Sequence, residues 1–178
     1  PNTVKEWSPL AITVSSTGDL YVVDTTPQPQ QIWKMDSQGK VLATFGENDK
    51  LMFPNGLAVQ DDGSLVVADS ANSRVLIYNT DGTLRGALAR GAADASIGLP
   101  RGLAISNKGI LYIVDTVNHL VRMYKGDRSG IPVYATTFGE MGNSDGQFIF
   151  PNGIALDNRG HIYVTDRENN RLQVWTNK

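Results

Sequence analysis

The chain has 178 residues, enough for one domain with a buried core and too few for two large ones. Its 16 basic residues nearly balance 18 acidic ones, so no broad positive field exists to hold nucleic acid or an anionic membrane. Cysteine is absent, which excludes disulfides, thiolate metal sites and a cysteine nucleophile. No apolar stretch nears the roughly 20 residues that cross a bilayer. The first residue is Pro1, without an initiator Met or a signal-like start. This reads as a trimmed or mature fragment and leaves room for an anchor or further repeats upstream.

Taken in chain order, four segments align without a gap: SPLAITVSSTGDLYVVDT from Ser8, FPNGLAVQDDGSLVVADS from Phe53, LPRGLAISNKGILYIVDT from Leu99, and FPNGIALDNRGHIYVTDR from Phe150. Asp24, Asp69, Asp115 and Asp166 lie 45, 46 and 51 residues apart, a period that suits a four-stranded propeller blade. Within each copy, aliphatic residues alternate on both sides of a turn glycine (Gly18, Gly63, Gly109, Gly160), the pattern of two half-buried strands in a hairpin. A third strand follows, as at 75–78 and 172–175, and a fourth comes after a second turn such as Asp36-Ser37-Gln38-Gly39 or Asp81-Gly82. The expected architecture is therefore an all-β propeller of four-stranded antiparallel blades. Its repeats cover 8–46, 53–88, 99–139 and 150–178 of a single domain spanning 1–178. Copy four stops after its third strand, while residues 3–7 precede the first strand of copy one, so 3–7 could complete the last blade and leave no open edge. Such complementary ends fit a closed four-bladed ring and an arc of a larger ring equally well.

These residues resemble the NHL repeat: Pro-x-Gly-aliphatic-Ala-aliphatic, a turn glycine, Tyr-Val-x-Asp, then Asn-x-Arg and an aromatic. Copy two supplies Pro54, Gly56, Ala58, Gly63, Asp69, Asn72, Arg74 and Tyr78. Copy four supplies Pro151, Gly153, Ala155, Gly160, Tyr163, Asp166, Asn169, Arg171 and Trp175. Copy three has Leu120 where the Arg is expected. Copy one has Ala11 for the first glycine, and Pro27-Gln28-Pro29-Gln30-Gln31 replaces its Asn-x-Arg stretch. The resemblance implies a propeller, most often six-bladed, with four copies present here. Its relatives span protein-binding and RNA-binding modules, extracytoplasmic sensors and an amidating lyase, and this tilts the expected location toward extracytoplasmic. Fold alone does not choose among them.

An antiparallel meander puts the Pro-x-Gly openings and the Asp-x-x-Asn-x-Arg loops on one face. Asn55, Arg101 and Asn152 are then expected to ring the channel mouth as ligand-binding residues, with Leu10 as their counterpart in copy one. The two Pro-Asn-Gly openings also resemble blade openings of gluconolactonase-type calcium hydrolases, where Asn oxygens hold a hard cation. That chemistry wants a carboxylate as well, and Arg101 would repel a cation. No metal or cofactor is implied. The repeated carboxylates are read as framework: Asp69 with Arg74 and Asp166 with Arg171 as loop-fixing ion pairs, not acid/base pairs. His119 and His161 are expected in solvated loops, too few for a zinc lyase. Tyr21, Tyr112, Tyr163, Trp33, Tyr78, Tyr124 and Trp175 are expected as core packing between blades. The 27–31 segment is a candidate recognition loop. The resulting expectation is a non-enzymatic module that engages a protein, peptide or glycan, with a calcium-dependent lactonase-like hydrolase as the alternative. Nucleic acid and membrane insertion are not expected, and assembly with missing blades or another chain is.

Overall fold

In the computed structural model, residues 7–26, 28–89, 96–126 and 130–176 are described. They form four antiparallel meander sheets in succession. Blade 1 holds β1 (Pro9–Val14), β2 (Leu20–Asp24), β3 (Gln31–Met35) and β4 (Val41–Phe45). Blade 2 holds β5 (Pro54–Val59), β6 (Leu65–Asp69), β7 (Arg74–Tyr78) and β8 (Leu84–Ala89), and blade 3 holds β9 (Pro100–Ile105), β10 (Ile110–Asp115), β11 (Leu120–Lys125) and β12 (Val133–Phe138). Blade 4 has three strands, β13 (Pro151–Leu156), β14 (His161–Asp166) and β15 (Arg171–Thr176). The chain is thus all-β, a β-propeller of four blades. Residues 3–6 of the segment expected to complete blade 4 lie outside the described residues. Trp7, the last residue of that segment, lines a cleft with residues of blade 1.

The pleat decides which side chain meets which neighbour, because successive residues of a strand point to opposite faces. In β6, Leu65 and Val67 join blade 1 residues Tyr21, Val23, Ile32 and Phe45 in one cluster. Val66 and Ala68 join Leu103, Leu111, Ile113 and Tyr124 of blade 3 in another. A third cluster seats Tyr112, Val114 and Val121 of blade 3 against Ile162 and Val164 of blade 4. A central strand between two neighbours therefore reads as a continuous apolar run, as Leu65-Val66-Val67-Ala68 does, all fully buried. Tyr21, Tyr78, Tyr112 and Tyr124 are buried in these clusters as expected of core aromatics. Tyr163 is a correction: it faces away from blade 3, and its hydroxyl donates to Asp157 at 3.2 Å.

The innermost strands lie side by side, β1 on β5, β5 on β9 and β9 on β13. Their approach explains the glycine of Pro-x-Gly. A Cβ on Gly56 would collide with the Arg101 carbonyl oxygen, and one on Gly102 would stand 2.8 Å from the Asn152 carbonyl oxygen. Only a residue without a side chain lets the backbones converge this closely. The two outermost faces are different in kind. On blade 1, Leu10, Ile12 and Val14 are exposed, and Leu10 and Ile12 line, with Trp7, Met35 and Val41, an apolar cleft of about 640 Å³. On blade 4, Leu172 and Val174 are exposed.

Interface and outer positions respond differently to truncation. Ile77→Ala, in the packed interface between blades 2 and 3, is expected to cost about 2–5 kcal/mol. Ile12→Ala, on the open face of blade 1, should shift the urea midpoint little; equal losses at both sites would show that the blade 1 face is covered in solution.

Candidate functional site

Each blade carries a buried carboxylate at the end of its second strand, where the strand leaves the sheet. Asp24, Asp69, Asp115 and Asp166 are each at most 1% exposed. One oxygen accepts a backbone N–H from the segment leading into the same blade: Ser8 at 3.0 Å, Met52 at 2.7 Å, Leu99 at 3.1 Å and Ile149 at 2.8 Å respectively. In blades 2, 3 and 4 the other oxygen accepts from an Asn three residues on, Asn72, Asn118 or Asn169, each at 2.8 Å. A donor from the third strand completes the set. Arg74 and Arg171 supply it through Nε at 2.7 and 2.8 Å. Their remaining guanidinium nitrogens hold linker carbonyls, Asp49 for Arg74 and Asn143, Ser144 and Gln147 for Arg171.

Copy three corrects the expectation drawn from Leu120. Arg122, two residues further along β11, puts its Nε 2.8 Å from Asp115 and its Nη2 2.6 Å from the Ser96 carbonyl. Residues two apart on a strand share a face, so either position reaches the carboxylate. Blade 1 uses the same second position with a different group: the Trp33 indole N–H donates to Asp24 at 3.1 Å, so this aromatic also serves as a polar anchor. Blade 4 uses both positions, with Gln173 joining Arg171 at 3.1 Å. Burial by itself pushes the Asp24 and Asp166 carboxyls up. In each case the hydrogen bonds outweigh it and hold the group below the usual carboxylate range.

A second set of contacts ties each blade to the next. The hydroxyl that follows the buried Asp crosses to the neighbouring Pro-x-Gly opening: Ser70 Oγ donates to the Pro100 carbonyl at 2.5 Å, and Thr116 Oγ1 to the Pro151 carbonyl at 2.8 Å. At the two Phe-Pro-Asn-Gly openings the backbone N–H of the Phe is also captured by the preceding blade. Phe53 N donates to Gln30 Oε1 at 2.7 Å, and Phe150 N to His119 Nδ1 at 3.0 Å. Two expectations are thereby corrected. His119 is a buried acceptor packed at a tilt against Phe150, not a solvated loop residue. Gln30 and Gln31 of the candidate recognition loop are buried in the framework, while Pro27 lies outside the described residues. His161 is half-exposed, with Nδ1 2.6 Å from Asp157, and that hydrogen bond is the main cause holding Asp157 well below the usual range.

The Pro-x-Gly residues meet across blade boundaries. Arg101 Nη1 donates to Asn152 Oδ1 at 3.1 Å, while the buried Arg101 Nε meets no acceptor among the described residues. Asn55 uses its Nδ2 on the Phe53 carbonyl at 2.9 Å and on Ser70 Oγ at 3.0 Å. The rim therefore carries half-buried amide and guanidinium groups with hydrogen-bonding capacity to spare. Sequence reading missed the residues just before each opening: Phe53 and Phe150 are 56% and 36% exposed, and Arg167 lies over the Phe150 ring at 5.8 Å. Their signal was a large apolar residue placed outside the alternating pattern. Among the described residues no group of three or more His, Cys, Asp and Glu side chains converges on a metal position.

Removing the cation from a buried pair leaves a desolvated carboxylate. Arg122→Leu should therefore cost about 3–5 kcal/mol in urea denaturation. Adding Leu120→Arg to that variant should restore most of the loss, because the replacement guanidinium sits where Arg74 and Arg171 do. Asp24 and Asp166 have depressed native values. The stability they contribute is complete above the unfolded carboxylate value of about 4 and is lost as pH falls through the depressed native values. Asp166→Asn should flatten that acid limb of the stability curve.

An NHL repeat family model matches residues 51–78 and 148–175. E3 ubiquitin-protein ligase TRIM71 of Bos taurus is 46% identical over 46 residues, 26% of this chain and 5% of that protein. Protein lin-41 of Caenorhabditis elegans is 49% identical over 39 residues, 22% of this chain and 3% of that protein. The shared stretch is thus a small fraction of the length of these relatives. A streptogramin B lyase structure superposes with a TM-score of 0.69 at 14% identity, over 98% of this chain and 56% of that one. A structure assigned as a gluconolactonase gives 0.69 at 19% identity, over 93% of this chain and 62% of that one. At these identities the likeness carries the propeller fold alone. With four blades built to one plan, the chain is a β-propeller, and two of its stretches, 51–78 and 148–175, match the NHL repeat.

Proposed function

We propose that the chain is a non-enzymatic docking module that engages a protein or peptide through its Pro-x-Gly face. The observation that carries this reading is the composition of the rim. Exposed Phe53 and Phe150 stand beside half-buried Asn55, Arg101 and Asn152, whose hydrogen-bonding capacity is only partly used. Aromatic rings and arginine on a rigid support are the usual anchors of protein interfaces. The rim is rigid because every blade end is held by a buried carboxylate and latched to its neighbour. The repeated carboxylates are saturated with donors, which speaks for framework and against acid/base work. The stretch shared with TRIM71 is 5% of that ligase, in keeping with a module that serves a larger protein.

The calcium-dependent hydrolase reading is less well supported. Asn152 Oδ1, the oxygen that a cation would need, accepts a hydrogen bond from the Arg101 guanidinium, and a positive charge at that distance disfavours a second cation.

Selection of displayed random peptides on the wild-type chain, with counter-selection on a Phe53→Ser/Phe150→Ser variant of unchanged melting temperature, tests the docking face. Peptides should be enriched that bind the wild type and lose about tenfold or more on the variant. Enriched peptides that bind both proteins equally would move the interface elsewhere.

A further inference from the structure

We infer that the mouth carries a carboxylate-recognition site centred on Arg101, in which the guanidinium receives an acidic side chain or a terminal carboxylate of a peptide partner. This deepens the docking reading and rests on it.

The inference starts from what the other described arginines do. Arg74, Arg122 and Arg171 each place Nε on a buried carboxylate and their outer nitrogens on backbone carbonyls. Arg85 and Arg167 pair with Asp62 and Glu168 at 2.9 Å, and Arg159 lies exposed in the turn between β13 and β14, where water solvates it. Arg101 is half-buried, yet among the described residues no carboxylate pairs with it: one nitrogen meets the neutral amide oxygen of Asn152, and the buried Nε meets no acceptor. A guanidinium taken out of water without a counter-charge is costly, and its planar fork of five donors matches a carboxylate.

The surroundings supply the rest of such a site. Arg101 sits between Pro100 and Gly102 as the second residue of β9, and the flanking strands β5 and β13 carry Asn55 and Asn152 at the same position. Among the described residues nothing accepts from Asn152 Nδ2, so this amide offers a second donor beside the guanidinium. Asn55 is held by Phe53 and Ser70, which fixes its place on the rim. Gly56 and Gly102 let the neighbouring first strands converge backbone to backbone, which brings the positions of Asn55, Arg101 and Asn152 together. A near-neutral chain with a single uncompensated arginine at its mouth suits one carboxylate better than a run of phosphates, which would call for a basic track.

The test follows the Arg101 Nε–H resonance by heteronuclear NMR, assigned by its loss in Arg101→Lys. Three probes are titrated: acetylated and amidated tetraglutamate, the same blocked tetraglutamine, and tetraglutamine with a free C-terminal carboxylate. The resonance should shift saturably with one or both carboxylate probes and not with blocked tetraglutamine, and which probe binds identifies a side-chain or a terminal source. Arg101→Gln should weaken that binding about tenfold or more at an unchanged melting temperature, and Arg101→Lys, which keeps the charge and loses the fork, should also weaken it. If Arg101→Gln does not fold, the wild-type shifts and the Lys variant still decide. No shift, an equal shift with blocked tetraglutamine, or tighter binding of oligouridylate than of either carboxylate probe would overturn the inference. Face-dependent peptides from the display selection that ignore Arg101→Gln would leave the docking reading intact while removing this one.

Discussion

A carboxylate buried where the second strand of each blade ends organises everything above it. The charge is tolerable in a dry interior because each oxygen is occupied, one by the backbone N–H of the incoming segment and the other by side-chain donors from the loop and the third strand. The consequence is mechanical. The linker from the previous blade, the loop between second and third strands and the opening of the first strand are held at one point. The geometry of the face that carries Asn55, Arg101 and Asn152 is inherited from that point.

The blades then register against each other through two kinds of contact. Apolar residues on facing sheets bury the bulk of the surface, in clusters that alternate along each second strand. That packing has little directional content, since apolar burial depends on area. Direction comes from the polar latches, Ser70 to Pro100, Thr116 to Pro151, Gln30 to Phe53 and His119 to Phe150. They cross each boundary beside the mouth, where a small slip would change what a ligand meets. The outer faces of blades 1 and 4 have the residue types of an interface without a neighbour among the described residues. The fold of the inner boundaries thus states what a covering surface would have to look like.

Propeller mouths hold very different chemistries on one scaffold, and here the side chains on the rim, not the blades, carry the argument for function. The carboxylates that invite a catalytic reading are saturated structural groups. The half-buried Arg101, which the repeat alone marks only as a variable position, keeps a buried donor unused among the described residues.

The repeat, the hairpins and the four carboxylates were legible in the sequence because they depend on local rules: period-two alternation, a glycine at each turn, one Asp per copy. The alternation suggested half-buried second strands, whereas β6 and nearly all of β10 are buried on both faces, because a blade packs on each side of them. What stayed hidden depends on which residues meet across space. Leu120 looked like the loss of an anchor, but Arg122 reaches the same carboxylate from two residues on, because strand geometry returns it to that face. His119 looked solvated and Gln30 belonged to a candidate recognition loop, yet each accepts a backbone N–H of the next blade more than twenty residues away. The sequence by itself determined the blades and their order, through patterns that repeat every strand and every copy. Only the tertiary structure decided which polar side chains would be consumed as latches and which would be left free at the mouth, because a hydrogen bond between blades depends on a distance that no local pattern encodes.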